Sequence, residues 1–137
     1  MAGKTTLPQM WWPLMGRPSV TLPYCPICGR TTPLEQHHPV RRGAGKLFDE
    51  NGREVRKPTI TLCGFGNNLR DADGREYCHG LAHDNRLHFR WVEVRGLEEP
   101  LGGLPAPYEG GHWEYLLLDE PHDYLTALGM DGWERLR

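Results

Sequence analysis

Apolar and polar residues alternate most cleanly in two stretches, "HFRWVEV" (88–94) and "HWEYLLL" (112–118). A period of two predicts a strand in each, and the two are expected to pair. "TITLC" (59–63) is a β-branched run and predicts another strand. "TTPLEQHHPV" (31–40) reads as a short strand approach that ends at two histidines. Between these lie "KLFD" and "REVR", joined through "ENGRE", a turn signal that predicts a small hairpin. "CHGLAHDNRL" (78–87) predicts a short helix, in which Gly80 costs about 1 kcal/mol relative to alanine. "PHDYLTALGMDGWERLR" (121–137) predicts a closing helix, with Pro121 near its first turn and Gly129 interrupting it.

The remaining segments lack either period. Residues 1–24 are punctuated by Pro8, Pro13, Pro18 and Pro23, and Trp11 and Trp12 are expected to cover part of the core. "GFGNNLRDADGREY" (64–77) is rich in Gly, Asn and Asp and predicts an irregular excursion. "GLEEPLGGLPAPYEGG" (96–111) reads as a linker-like loop, and no internal repeat stands out. Short strands mixed with short helices predict an α+β fold. The chain divides into an irregular arm (1–23), a core (24–95) and a strand-helix extension (96–137) packed on that core.

Composition sharpens this reading. The chain has 137 residues, of which 38% are hydrophobic, with Gly 17 and Pro 12. A small, loop-rich chain with so modest a core needs an additional staple, either disulfides or a metal. The opening "MAGKTTLPQMWWPLM" has no apolar run of signal-peptide quality, and no stretch is long and apolar enough for a membrane span. A reducing cytosol is therefore expected, where four cysteines read as metal ligands rather than two disulfides. Charge is uneven: residues 1–95 hold 14 Lys/Arg against 9 Asp/Glu, and residues 96–137 hold 2 against 9. All four cysteines and five of the seven histidines lie in the basic part, which suits a polyanionic partner such as nucleic acid.

"YCPICGR" (24–30) spaces Cys25 and Cys28 so that two thiolates can bind one tetrahedral zinc, with Gly29 completing the knuckle. Cys63 and Cys78 would complete a four-thiolate structural site, with residues 64–77 looping out between them. His79 and His83 are four apart and share one face of the predicted helix, so they can ligate one ion. His37 and His38 are adjacent on a strand and face opposite sides. One of them can join His79 and His83 as a ligand while the other stays free to act on water. Three protein ligands leave open positions on an ion, which marks a catalytic rather than a structural site.

Taken together, "CPIC…LEQHHPV…ITLC…CHGLAH" resembles the zinc-containing HNH endonucleases, particularly small free-standing members of the phage type, over roughly residues 24–90. The resemblance implies a ββα-metal core, a hairpin and a helix around one divalent ion, supported by a treble-clef-like zinc site. By position, His37, His79 and His83 match the ligands of the catalytic ion, and His38 matches the general base. Cys25, Cys28, Cys63 and Cys78 match the structural zinc ligands. Two departures stand out. The family's asparagine a few residues before "LC" is missing, with Thr59 nearest its place. The gap from Cys63 to Cys78 is also far longer than the usual two residues.

The resemblance implies DNA phosphodiester hydrolysis by a one-metal mechanism, the ion being Mg2+, Mn2+, Ni2+ or Zn2+. His38, with Thr59 beside it, would accept a proton from water. Arg41, Arg42, Arg86 and Arg90 are candidate phosphate contacts, whereas His88 falls off the ligand face of the helix. The substrate implied is double-stranded DNA read with low sequence specificity, in the cytoplasm of a bacterial host cell. A phage or host protein could bind through the acidic C-terminal part. The alternative is a catalytically weak zinc module that binds nucleic acid or a protein partner.

Overall fold

A computed structural model describes residues 9–40, 45–64, 70–93 and 110–136. The chain is a small α+β protein with two antiparallel sheets and few helices. A 3-10 turn at Gln9–Leu14 precedes β1 (Leu34–His37) and β2 (Ile60–Cys63), followed by α1 (Cys78–His83), β3 (Leu87–Glu93) and β4 (Gly111–Leu117). The chain closes with α2 (Tyr124–Leu128) and β5 (Glu134–Arg135). Among the described residues, no helix is long and apolar enough to cross a membrane.

β1 and β2 pair with Leu34 opposite Cys63 and His37 opposite Ile60. All four residues of β2 are buried, as its continuous apolar and β-branched run requires. Val20 extends this small sheet through a bridge to Ile60, its carbonyl accepting from Thr61 N–H. β3 and β4 pair over their full length, Leu87 opposite Leu117 and Glu93 opposite Gly111, which is the partnership their alternation predicts. Along β3, Leu87, Phe89 and Trp91 point into the core, and Trp113 does so from β4.

The expected closing helix is the main correction. Pro121 lies outside it, and Asp123 caps α2 by accepting from Thr126 N–H at 2.9 Å. The helix stops at Gly129, Gly132 turns the chain at a φ of 100°, and β5 returns along β4. The sequence 121–137 thus carries five helical residues and an added strand, because Gly129 and Gly132 end helices more readily than they continue them. The helix over "CHGLAHDNRL" is also shorter than predicted, ending at His83 before Asn85 enters the left-handed region at φ 61°.

A second correction concerns repetition. "DENGRE" (49–54) and "DADGRE" (71–76) fold into the same tight hairpin. In the first, Asp49 accepts at Oδ1 from Asn51 and Arg53 N–H, and Phe48 bridges Glu54. In the second, Asp71 accepts at Oδ1 from Asp73 and Arg75 N–H, and Arg70 bridges Glu76. The turn glycines Gly52 and Gly74 both take positive φ, 79° and 82°. The predicted hairpin at "ENGRE" therefore has an unpredicted twin inside the excursion between Cys63 and Cys78.

One hydrophobic cluster runs from Trp11 to Leu136 and draws on all three parts of the chain. Trp11 stacks on Tyr124 at 4.5 Å between ring centroids, and Trp113 donates its indole N–H to Pro18 O. Trp11 covers the core as expected, whereas Trp12 is exposed.

Candidate metal centres

The knuckle at Cys25–Arg30 closes through Gly29 N–H to Cys25 O and Cys25 N–H to Arg30 O, both 2.8 Å, with Gly29 at φ 81°. This turn aims two sulfurs toward the end of β2, where Cys63 sits, and the start of α1, where Cys78 sits. All four Sγ atoms lie within 4.8 Å of one another, and no disulfide links them. Cys28 and Cys63 sulfurs are 3.6 Å apart. Tetrahedral zinc–thiolate bonds of about 2.3 Å place sulfurs roughly 3.8 Å apart, so the spacing suits one shared ion. Cys78 also donates its backbone N–H to Cys63 Sγ at 3.2 Å, the orientation that stabilises a thiolate.

The electrostatics of the cluster is consistent with a bound cation. The Cys25 thiol is pushed far below its ordinary value, first by S–H donation from Cys63 and then from Cys78. Hydrogen bonding to Cys25, and after it burial, drives the partners the other way: the Cys63 thiol is pushed up to about 12, and Cys78, which also bonds to Cys63, higher still. One thiolate is thus easy to form and the next are not, unless a positive ion sits among them. Arg30 stands beside the cluster, its guanidinium over the Tyr77 ring at 4.9 Å and its Nη1 2.8 Å from Asp71.

The second centre abuts the first. His79 follows Cys78 directly, and α1 carries His83 one turn on. The ligand nitrogens of His37, His79 and His83 all lie within 4.8 Å of one another, with Nε2 of His79 and His83 3.1 Å apart. His37 reaches the pair from the end of β1, its ring 5.2 Å from His79 and 5.8 Å from His83, over Phe89 at 5.9 Å. His83 is exposed and the other two are half-buried, so the site opens at the surface. Three imidazoles converging there could hold one divalent ion with positions left for water or substrate.

Two residues of this centre were missed in the sequence. Glu35 Oε1 lies 2.9 Å from His79 Nδ1, which leaves Nε2 of that ring to face the other imidazoles. Strand alternation was the available signal, since Glu35 and His37 are two apart and share a face. Gly64 is the other: a Cβ there would stand 2.6 Å from His79 Cβ and 3.1 Å from Glu35 Oε1. Only glycine lets the end of β2 come this close to α1.

The other expected residues are placed as follows. His38 is exposed, one residue beyond β1. Continuing the register of His37 with Ile60 by one residue sets His38 opposite Thr59. The Thr59 hydroxyl accepts from Gln36 Nε2 at 3.0 Å, and its N–H donates to Ser19 Oγ. Arg86 is held by Glu76 at 2.7 Å and also reaches Leu118 O. Arg90 lies on the opposite face of β3 from Phe89, paired with Glu114 at 2.6 Å and stacked on Trp133 at 4.5 Å. His88 is buried and bonds to Asn85 O, as a packing residue would. Arg41 and Arg42 lie outside the described residues.

Comparisons with protein-family models, with curated proteins and with solved structures found no match.

Proposed function

We propose that the chain is a metal-dependent endonuclease with a ββα-metal core of the HNH kind, hydrolysing DNA phosphodiester bonds. The observation that carries this reading is the convergence of His37, His79 and His83 nitrogens within 4.8 Å at an open surface. β1, β2 and α1 supply the two strands and the helix that such a core needs, and the four cysteines beneath would hold zinc as the staple. His37, His79 and His83 would hold a divalent ion, which would supply Lewis acidity for phosphodiester hydrolysis.

The chain's own residues do the rest. Glu35 fixes the His79 ring, and Cys78, tied into the staple, fixes the start of α1. His38, exposed beside His37, takes a proton from water as that water attacks phosphorus in line with the 3′-oxygen. The phosphorus–oxygen bond to the 3′ side breaks with its electron pair going to the 3′-oxygen, which takes a proton from solvent water, leaving a 5′-phosphate and a 3′-hydroxyl. The substrate is double-stranded DNA with low sequence specificity, in the cytoplasm of a bacterial host cell, and the setting is phage or mobile-element biology. The acidic C-terminal part is available to a protein partner.

A plasmid-nicking assay with magnesium, manganese, nickel or zinc tests this. Wild type nicks and His38→Ala does not. Wild type that stays inert with every ion, yet shifts DNA on a gel, would instead be a zinc module that binds without cutting.

A further inference from the structure

The twin hairpins carry both paired and unpaired cations: Lys46 lies 3.9 Å from Glu54 and Arg70 3.7 Å from Glu76. Arg17, Arg30, Arg70, Arg86 and Arg90 each pair with a carboxylate. Arg53, Arg56, Lys57 and Arg75 form no ion pair with another described residue, and three of the four belong to the first hairpin. Arg53 and Arg75 occupy the same position of the repeated turn, and both are exposed.

The hairpins are also attached where the histidine centre is built. The first leads into Ile60, the register partner of His37, with Arg56 and Lys57 only a few residues ahead. At about 3.3 Å per residue these cations lie within roughly 14 Å of that pair along the chain. The second leads into α1, and Arg75 precedes His79 by one helical turn's worth of chain. It is braced on two sides by Arg30 with Asp71 and Arg86 with Glu76.

The first hairpin carries something more. Leu47 and Val55 pair through Val55 N–H to Leu47 O and pack against the core. Alternation then puts Lys46, Phe48, Glu54 and Arg56 on the outer face, and all four are exposed. Phe48 is 56% exposed, an aromatic ring presented beside Arg56 on a braced scaffold. Gly16 holds the base of this hairpin, donating its N–H to Arg56 O at 2.8 Å.

We propose that the two hairpins are the DNA-binding surface, a reading that rests on the nuclease function above. Arg53, Arg56, Lys57 and Arg75 bind backbone phosphates on either side of the histidine centre, and Phe48 makes apolar contact with the groove. Free guanidinium groups match phosphate geometry, and an exposed aromatic between them supplies the contact that is independent of salt. Arg86 and Arg90, held by Glu76 and Glu114, brace the fold instead.

The test uses the full zinc-loaded chain. Binding is followed by anisotropy of a labelled duplex over a range of salt, in a His38→Ala background that leaves the duplex intact. Removing Arg53, Arg56 and Lys57 together lowers the slope of log affinity against log salt by about two to three, and Arg75→Ala lowers it by about one. Phe48→Ala weakens binding roughly tenfold with the slope unchanged. In the His38 background restored to wild type, hydrolysis of bis(p-nitrophenyl) phosphate, too small to reach the hairpins, is unaffected by these substitutions while plasmid nicking falls. Slopes that do not move, or plasmid nicking that survives all of them, overturn the hairpin surface and leave the nuclease standing. Wild type inert toward both substrates, but binding duplex with the altered slopes, removes the nuclease and keeps the surface.

Discussion

Glu35 and His79 meet at 2.9 Å across the gap between β1 and α1, carboxylate oxygen to ring nitrogen. The contact fixes which nitrogen of His79 carries the proton, and so which one faces His37 and His83. It is thus a positioning contact, and it lies on the half-buried side of an otherwise open centre.

Glu35→Gln keeps the shape but weakens the acceptor, and Glu35→Ala removes it. Loss of such an outer partner typically costs about 10- to 100-fold in metal affinity. The expected outcome is that loss in titrations of the histidine centre, with the zinc content of the cysteine centre unchanged. Equal affinity in wild type and Glu35→Ala would show that His79 is oriented by packing alone.

Gly64→Ala tests the close approach. A Cβ 2.6 Å from His79 Cβ cannot be relieved by a flexible side-chain tip, so α1 or β2 must move. Overpacking of this kind costs about 1–3 kcal/mol. A lowered melting temperature together with weaker metal binding at the histidine centre is expected. A variant as stable as wild type and equally able to bind metal would refute the close-packing account.

These two residues show what the sequence made legible and what it did not. Spacing exposed Cys25 with Cys28 and His79 with His83, because ligand geometry is local: a knuckle needs two intervening residues and a helical pair needs three. The match of Cys63 and Cys78 and the choice of His37 over His38 came from the family resemblance. Alternation exposed β3 and β4, because each has one buried face. Glu35 and Gly64 act across elements distant in sequence, and their roles follow from how β2 meets α1. The closing segment misled because "YLTAL" is a sound helix start whose continuation depends on Gly129 and Gly132. The twin hairpins share only "D", "GRE" and a turn geometry, too little to stand out before their hydrogen bonds could be compared.

The cysteine centre makes a prediction about folding. Metal held there would couple to the fold through Cys63, beside Gly64, and Cys78, beside His79, so its loss should loosen both centres. One tightly held zinc per chain is expected by elemental analysis. Its removal by a strong chelator at neutral pH should abolish the cooperative melt, and Cys63→Ser should do the same. Acidification acts in the same direction, since protons compete with metal for thiolates. A chain that melts cooperatively at the same temperature with and without metal would remove the staple from the account.

Tyr124, which belongs to neither ligand set, offers an alkaline counterpart. Its hydroxyl is buried and donates to Phe89 O at 2.7 Å, and burial pushes its pKa above the ordinary value of 10.0. The folded state therefore keeps the proton at pH values where the unfolded chain releases it. Stability contributed by the neutral phenol is complete below about pH 10 and is lost as pH rises through the native value. Tyr124→Phe removes the hydrogen bond, which costs about 1 kcal/mol at neutral pH, and keeps a ring to stack on Trp11. It also removes this titration. The two melting curves, measured from pH 7 to pH 11, should therefore converge as the wild type loses its advantage, with zinc content the same in both. Curves that stay parallel across that range would mean that Tyr124 ionises as freely folded as unfolded, contrary to its buried setting.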